Sequence, residues 1–477
     1  MTTRKKKILI VSGGVILALI VLITLVLHFG IKGLKPQVEA SASKALGMDV
    51  RIRGGLSVSL FPIFGASLAD ITATKDGAEV AGLAKLRIGL KLLPLIKGKV
   101  DITRLELVKP VISIVREKNG KFNIETQGGK SSGSGGALAI NKLSISDGTV
   151  SFNDLQSGQK IEADGIDLSA SDILAGGSAG ADPMKALALT GELRCRAIKA
   201  GNLALADLVV DLAGGKGVFD VSKARVRAFG GTGSGTAHAD FSGAVPRFKI
   251  SYALSSFKIQ DLVQGSAGAK RMEGEANFSA DLTAGGKTEP ELMRSLGGQA
   301  SLTGENIQVN GIDIDELLGS LERTQSFNLA DVGGFLLAGP LGTALSRGST
   351  FAGAFAGSQG GKTVIIKLVS IWRVERGTAE ASDVALATKK HRLAVKGGLN
   401  FVNESFENTV VAVLDDKGCA AFSQKIHGSF AHPQIDKVST LKSLAAPLTN
   451  LLGVGKKLVE PSGPCVPFYS GSVAAPR

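Results

Sequence analysis

Apolar residues recur at every second position along most of this chain, the signature of half-buried β-strands. The pattern starts at Met48. Val50 and Ile52 alternate with charged residues, Gly54 and Gly55 make a turn, and Leu56, Val58 and Leu60 alternate again up to Pro62. Leu86, Ile88 and Leu90 follow, then "LLPLIKGK" interrupts, then Val100 and Ile102 resume. Leu105 and Leu107 shift the phase by one, as a bulge does, and Ile112 and Ile114 shift it back. "EKNGK" at 117–121 holds an Asn-Gly hairpin signal. Leu143 and Ile145 lead to "SDG", read as a turn, and then to Val150 and Phe152. Similar runs continue through Phe248–Leu254, Val364–Leu368, Leu393–Val395 and Val411–Val413. The pattern predicts a mainly β protein of many short, mostly antiparallel strands.

Helical patterns are few. Residues 34–47 predict a short helix, with Pro36 in its first turn and Gly47 at its stop. Residues 289–298 and 313–323 predict two more, and 437–460 an amphipathic helix interrupted near Pro447. Ile8 to Ile31 is different: 24 residues without Asp, Glu, Lys or Arg. As a helix they would reach about 36 Å, against a hydrocarbon core of about 30 Å. The run is longer than a cleaved signal's apolar core and no A-x-A site follows, so the expectation is an uncleaved single-pass anchor. "RKKK" before it places the N-terminus in the cytoplasm and the body across the membrane. The expected order is a basic tail at 1–7, the anchor at 8–31, an N-terminal module at 32–126, and a Gly/Ser linker at 127–137. A middle β region at 138–284, a C-terminal β region at 285–435, and a helix and tail at 436–477 complete it.

Composition sharpens this picture. Hydrophobic residues are 44% of the chain but aromatics only 5%, so the apolar surface is aliphatic. Glycine is 62 of 477 residues and not periodic, which excludes collagen and suits turns. The net charge of +13 falls to +9 without Arg4, Lys5, Lys6 and Lys7, and no dense basic run is interleaved with aromatics. Nucleic acid is therefore not an expected partner.

Reactive chemistry is sparse. The five histidines share no ligand spacing, and neither HExxH nor CxxC occurs, so no metal site is expected. G-x-S-x-G matches at 129–133 and 176–180 lie in Gly/Ser-rich loops, without the strand-to-helix context of a nucleophile elbow. The "GKT" at 286–288 and 361–363 lacks the P-loop's first glycine, since Asp281 and Ala356 stand there. No catalytic residue and no cofactor are expected; the protein works by its surface. Cys195 stands alone. Cys419 and Cys465 suit either a disulfide or buried thiols on spacing alone.

Residues 45–71, "ALGMDVRIRGGLSVSLFPIFGASLADI", and 85–124, "KLRIGLKLLPLIKGKVDITRLELVKPVISIVREKNGKFNI", resemble the N-terminal motif of the AsmA-like family. The matching positions include Leu92, Leu93, Pro94, Leu95, Gly98, Ile102, Leu105, Leu107, Pro110, Arg116, Gly120 and Asn123. Residues 285–318 and the segments "GCAAFSQKIHGSFAHPQI" and "CVPFYSGSV" are similar less sharply. The resemblance implies a Gram-negative inner-membrane protein with its body in the periplasm, linked to outer-membrane biogenesis. It also implies a chorein-like, long curved sheet forming an apolar groove or open barrel, and a Cys419–Cys465 disulfide.

Under that resemblance the groove would take phospholipid acyl chains. Its expected lining is Leu86, Ile88, Leu90, Ile102, Leu105, Leu107, Ile112 and Ile114, with Lys97 and Lys99 meeting headgroups. The alternation by itself favours an ordinary sandwich core, and only the resemblance turns the reading toward a groove. The competing function is a periplasmic scaffold that acts on outer-membrane assembly components without carrying lipid.

Overall fold

In the computed structural model the described residues are 34–59, 64–91, 101–125, 138–175, 182–201, 203–262, 272–324, 360–440 and 465–476. The expected anchor at 8–31 and most of the expected helix at 437–460 lie outside them. Among the described residues no helix is long and apolar enough to cross a membrane. They divide into two compact units. The first holds residues up to 227 with 236–246, and the second 228–235 with 247 onward.

The first unit opens with helix α1 (Leu34–Leu46), which stops at Gly47, in the left-handed region at φ 63°. Ten strands follow: β1 (Asp49–Ile52), β2 (Leu56–Ser59), β3 (Phe64–Lys75), β4 (Ala78–Leu90), β5 (Ile102–Arg116), β6 (Leu138–Asp154), β7 (Lys160–Ala175), β8 (Ala188–Ala200), β9 (Leu203–Gly215) and β10 (Val218–Ala228). A one-turn helix, α2 (Pro183–Ala186), joins β7 to β8. β1 and β2 share β3 as partner, and from β3 onward each strand pairs with the next. The β3–β4 and β9–β10 hairpins turn on Asp76-Gly77 and Lys216-Gly217, all four residues at positive φ. That is the type I′ requirement, and it matches the twist of paired strands.

One pairing departs from the antiparallel expectation: β5 and β6 run parallel. Parallel neighbours need a long return connection. The 117–137 stretch supplies it, carrying the chain from the end of β5 back to the start of β6. "EKNGK" forms a tight turn, with Glu117 N–H donating to Lys121 O at 2.8 Å, and among the described residues up to 125 only a single bridge, between Arg116 and Phe122, follows it.

Strands are also longer than the sequence suggested. β6 runs 17 residues straight through "SDG". Asp147 adopts φ 52° within the strand, so the apparent turn is one left-handed residue. The phase shift read between Ile102 and Leu105 is real: Leu90 pairs with Ile102 but Gly89 with Arg104, leaving Thr103 extra.

Strand β11 (Gly231–Asp240) is divided between the units. The second unit holds β12 (Arg247–Lys258), α3 (Ile259–Leu262), β13 (Met272–Gly285), α4 (Glu289–Ser295), β14 (Gly297–Asn310), α5 (Ile314–Thr324), β15 (Lys362–Glu375), β16 (Thr378–Ala387), β17 (Arg392–Asn400), β18 (Ser405–Leu414) and β19 (Ala420–Gly428). The short β20 (Pro433–Ile435) and β21 (Ser439–Thr440) both pair with β19. Residues 439–440, where the C-terminal helix was expected to begin, are therefore strand. All pairings from β12 to β19 are antiparallel.

Across β15 to β18 of the second unit much of both sheet faces is buried. Leu368, Leu386, Leu393 and Val413 stand in register on one face, and Val369, Ala385, Ala394 and Ala412 on the other. The alanine row lies under residues 465–476, whose Tyr469 and Val473 join its cluster. Short side chains there let a second stretch of backbone lie close to the sheet.

Candidate functional site

In the first unit the register assembles aliphatic residues into transverse rows. Leu86, Leu107, Ile145, Leu168, Leu193 and Val210 oppose one another in sequence across β4 to β9. A second row runs through Ile112, Val150, Ala163, Ile198 and Leu205. Along each strand the two rows are five residues apart. In regular alternation an odd spacing sends side chains to opposite faces.

A line of left-handed residues between the rows cancels that reversal. Lys109, Asp147, Gly165 and Asp207 have φ 51°, 52°, 63° and 49°, one per strand on β5, β6, β7 and β9. On these four strands each such residue turns the pleat over, so there both rows face the same way. The contacts around Gly148 agree. A Cβ there would meet Pro110 Cγ at 3.2 Å, Ile145 Cγ2 at 3.3 Å and Ile166 Cβ at 3.4 Å. Side chains from three strands thus converge at one level, on the apolar face.

The polar face carries the complementary chain of charges. Lys109 Nζ lies 3.7 Å from Asp147, Asp147 lies 3.6 Å from Arg196 Nη2, and Arg196 Nη2 donates to Asp164 at 2.8 Å. Hydrogen bonds from Arg196 and then Thr149 hold the Asp164 carboxyl below the usual carboxylate range. These groups are exposed, so each pair contributes little stability. A non-glycine residue at positive φ costs on the order of 1 kcal/mol or more. Several aligned in register mark a built crease.

Burial differs sharply along this face. At its α1 end Ile88, Leu90, Ile102 and Leu105 pack with Val38 of α1 and Ile140 in one cluster, and Ile102 is 0% exposed. Leu86 and Leu107 are half-buried against the same cluster. Past it, Ile114 is half-buried and Ile112 is 38% exposed. Ile145, Val150, Phe152, Leu168, Leu193, Ile198, Leu205 and Val210 are all half-buried. Their neighbours screen them from the sides, yet none reaches the 0% of Leu393 in the second unit.

The eight expected lining residues therefore divide: four are sealed with α1, two flank that cluster, and two stand at the start of the half-buried stretch. Sequence reasoning missed the stretch from β6 to β9. Its signal was the five-residue spacing between apolar pairs, with a Lys, Asp or Gly between them. Lys97 and Lys99 lie outside the described residues.

The motif residues near the β5–β6 connection have physical roles. Gly120 adopts φ 82° in the turn. The Asn123 side chain accepts from Val115 N–H at 2.9 Å and donates to Ser113 O at 2.8 Å, standing in for a peptide unit beside β5. Arg116 Nη1 donates to the buried Asp154 at 3.1 Å, tying the ends of β5 and β6. Burial pushes the Asp154 carboxyl up, but hydrogen bonds from Gln156, Ser157 and Arg116 outweigh it and hold it below the usual carboxylate range. A lowered folded pKa contributes stability above the unfolded value that is lost as pH falls through the folded one. Asp154→Asn should lower stability at neutral pH, and its melts should change less than wild type between about pH 5 and pH 2.

Cys419 and Cys465 are joined, with Cα atoms 6.3 Å apart. Among the described residues the group with metal-ligand spacing is Asp415, Cys419 and Cys465, and the bond occupies both its sulfurs. Cys195 is a free, buried thiol on β8. His391 Nδ1 lies 2.9 Å from Asp315, which also accepts from Thr388, so this histidine ties α5 to the β16–β17 turn.

A model of the AsmA family matches residues 1–196 and 190–332. The chain belongs to the AsmA family. No curated protein and no solved structure matches it. In this AsmA-family chain the match covers α1, the α1-capped cluster and the whole creased face. It ends before β15, so the 465–476 segment lies outside it.

Proposed function

We propose that this AsmA-family protein is an inner-membrane-anchored periplasmic lipid-binding protein. Its first unit holds phospholipid acyl chains along the creased apolar face, in support of outer-membrane biogenesis. One observation carries the reading: the aliphatic rows from β6 to β9 remain half-buried while equivalent residues elsewhere in the chain are sealed. Removing apolar surface from water is worth roughly 25 cal/mol per Å², whichever partner covers it. An acyl chain needs no hydrogen bonds and tolerates sliding, which suits a wall of Leu, Ile and Val. The anchor reading of Ile8 to Ile31 places such a face beside a source of lipid. Nothing in this reading calls for bond chemistry.

The test is mass spectrometry of an organic extract from purified full-length protein. Phospholipid is expected in the extract. Ile198→Asp with Leu205→Asp should remove it while leaving the far-ultraviolet circular dichroism of a β protein. The scaffold reading draws on the α1-capped cluster and the buried β15–β18 sheet. It predicts no lipid in the wild-type extract, and that result would displace lipid binding.

A further inference from the structure

The outer face of the first unit carries an unbalanced pair of cations. Arg104 on β5 and Lys142 on β6 lie side by side, between the parallel pairs Ile102–Ile140 and Leu105–Leu143. Leu105 and Leu143 belong to or flank the buried cluster, so their chain neighbours Arg104 and Lys142 point outward, and both are exposed. Adjacent like charges in a sheet are destabilising. Neither cation has an ion pair or hydrogen bond among the described residues.

The nearby carboxylates are engaged elsewhere. Glu106 binds Arg87 at 2.7 Å, Asp101 binds Lys91 at 2.8 Å, and Asp172 accepts from Ser171 at 3.1 Å. Across the outer face the row through this pair reads Gly65, Gly89, Arg104, Lys142, Ser171 and Thr190. It offers two cations, two hydroxyls and two bare backbones, with no anion.

Chain direction places the row. Val50 N–H donates to Ser43 Oγ, Ile52 N–H to Glu39 Oε1, and Lys35 Nζ to Gly54 O. Helix α1 therefore runs antiparallel to β1. Its N-terminus points to the end of the sheet where β3 begins, β4 ends and β5 begins. The 24-residue apolar run ends at Ile31, three residues before α1. A chain leaving a bilayer at Ile31 emerges at that end, and Arg104 lies two residues from the start of β5.

We propose that Arg104 and Lys142 dock this end of the unit onto the anionic headgroup surface of the bilayer holding the anchor. The inference rests on the anchor reading. Each cation near an anionic bilayer is worth about a fivefold change in occupancy, so the pair gives roughly 30-fold. Docking would set the creased face at a fixed orientation to the lipid.

The test uses the full chain in nanodiscs of phosphatidylcholine, with or without phosphatidylglycerol, doped with a nickel-chelating lipid. A nitroxide is placed at Asn141→Cys, an exposed position beside Lys142. Cys195 is buried and the other two cysteines are bonded, so labelling is directed to that site. Nickel broadening is expected in discs with phosphatidylglycerol, and its loss in phosphatidylcholine alone or in Arg104→Glu with Lys142→Glu. Lys160→Glu with Lys199→Glu, at the opposite end of the strands, should leave it unchanged. Broadening that ignores lipid charge, survives the Arg104/Lys142 change or falls equally with the control overturns the docking alone. Failure of the chain to enter discs overturns the anchor and the docking with it.

Discussion

Leu393→Asp will abolish the folded state of the second unit, whereas Leu205→Asp will leave the first unit folded. Both positions are leucines in the interior of an antiparallel ladder, and propensity treats them alike. Leu393 is fully buried, in register with Leu386 and Val413, with the sheet's opposite face also closed. A carboxylate there has no cation within its row. An uncompensated carboxylate inside a closed core costs about 3–5 kcal/mol, and the lost leucine burial adds about 2 kcal/mol. That total approaches the whole stability of an ordinary domain, about 5–15 kcal/mol.

Leu205 is half-buried opposite Ile198, two residues from the start of β9, so an aspartate can turn its carboxylate to water. Its cost should stay near 1 kcal/mol, the common value for a point change. Thermal melts of full-length protein, followed by circular dichroism, read the difference. Equal loss from both substitutions would mean the creased face is a sealed core, and lipid binding would fall with it.

Breaking the C-terminal clasp should have the second-largest effect. The Cys419–Cys465 bond closes a separation of 46 residues, worth about 4 kcal/mol in the chain-entropy model. The clasp is more than the bond. Phe468 and Tyr469 N–H both donate to Gly418 O, at 2.8 and 3.0 Å. The Tyr469 hydroxyl donates to Asp383 and accepts from Val473 N–H at 3.1 Å. Arg392 donates to Val473 O at 3.1 Å and to Asp415 O at 3.0 Å. Gly418 sits at φ 81°, and a Cβ there would fall 2.3 Å from Tyr469 O.

Cys465→Ser is therefore expected to lower stability by about 4 kcal/mol. It should also expose residues 465–476 to limited proteolysis, since it unties the segment covering the alanine row. Tyr469→Phe, with the disulfide intact, should cost about 1–3 kcal/mol by leaving Asp383 without its hydroxyl donor. Burial and then the Asp383 contact raise the Tyr469 pKa well above 10. A raised folded pKa means this contribution is complete below the unfolded value and fades only as pH climbs through the folded one. The clasp should thus be insensitive to pH across the neutral range. A Cys465→Ser protein with wild-type melting and an uncut C-terminus would remove the segment's structural role.

Particular residues mark how far the sequence could be read. Period-two alternation located the strands, and the bulge between Ile102 and Leu105 was visible in its phase. Pro36 and Gly47 bounded α1 because their backbone restrictions act locally. "SDG" misled, since Asp147 and Gly148 favour a turn whenever nothing opposes them. In the folded unit, neighbours on both sides keep β6 paired past Asp147, which takes a left-handed φ without reversing the strand. The parallel β5–β6 pair was invisible for a related reason. Alternation specifies that a segment is a strand and says nothing about which end of its neighbour it meets.

By itself the sequence determined element type, the aliphatic character of the buried surface, the apolar run at 8–31 and the family motif, because these depend on residues close together along the chain. Tertiary structure alone decided which apolar residues are covered. Alternation is identical for Leu205 and Leu393, yet among the described residues Leu393 is fully buried while Leu205 stays half-buried. It also decided that left-handed residues align across β5, β6, β7 and β9, because alignment is a property of register. Burial and register are relations between segments far apart in the chain, and a pattern read along one segment cannot contain them.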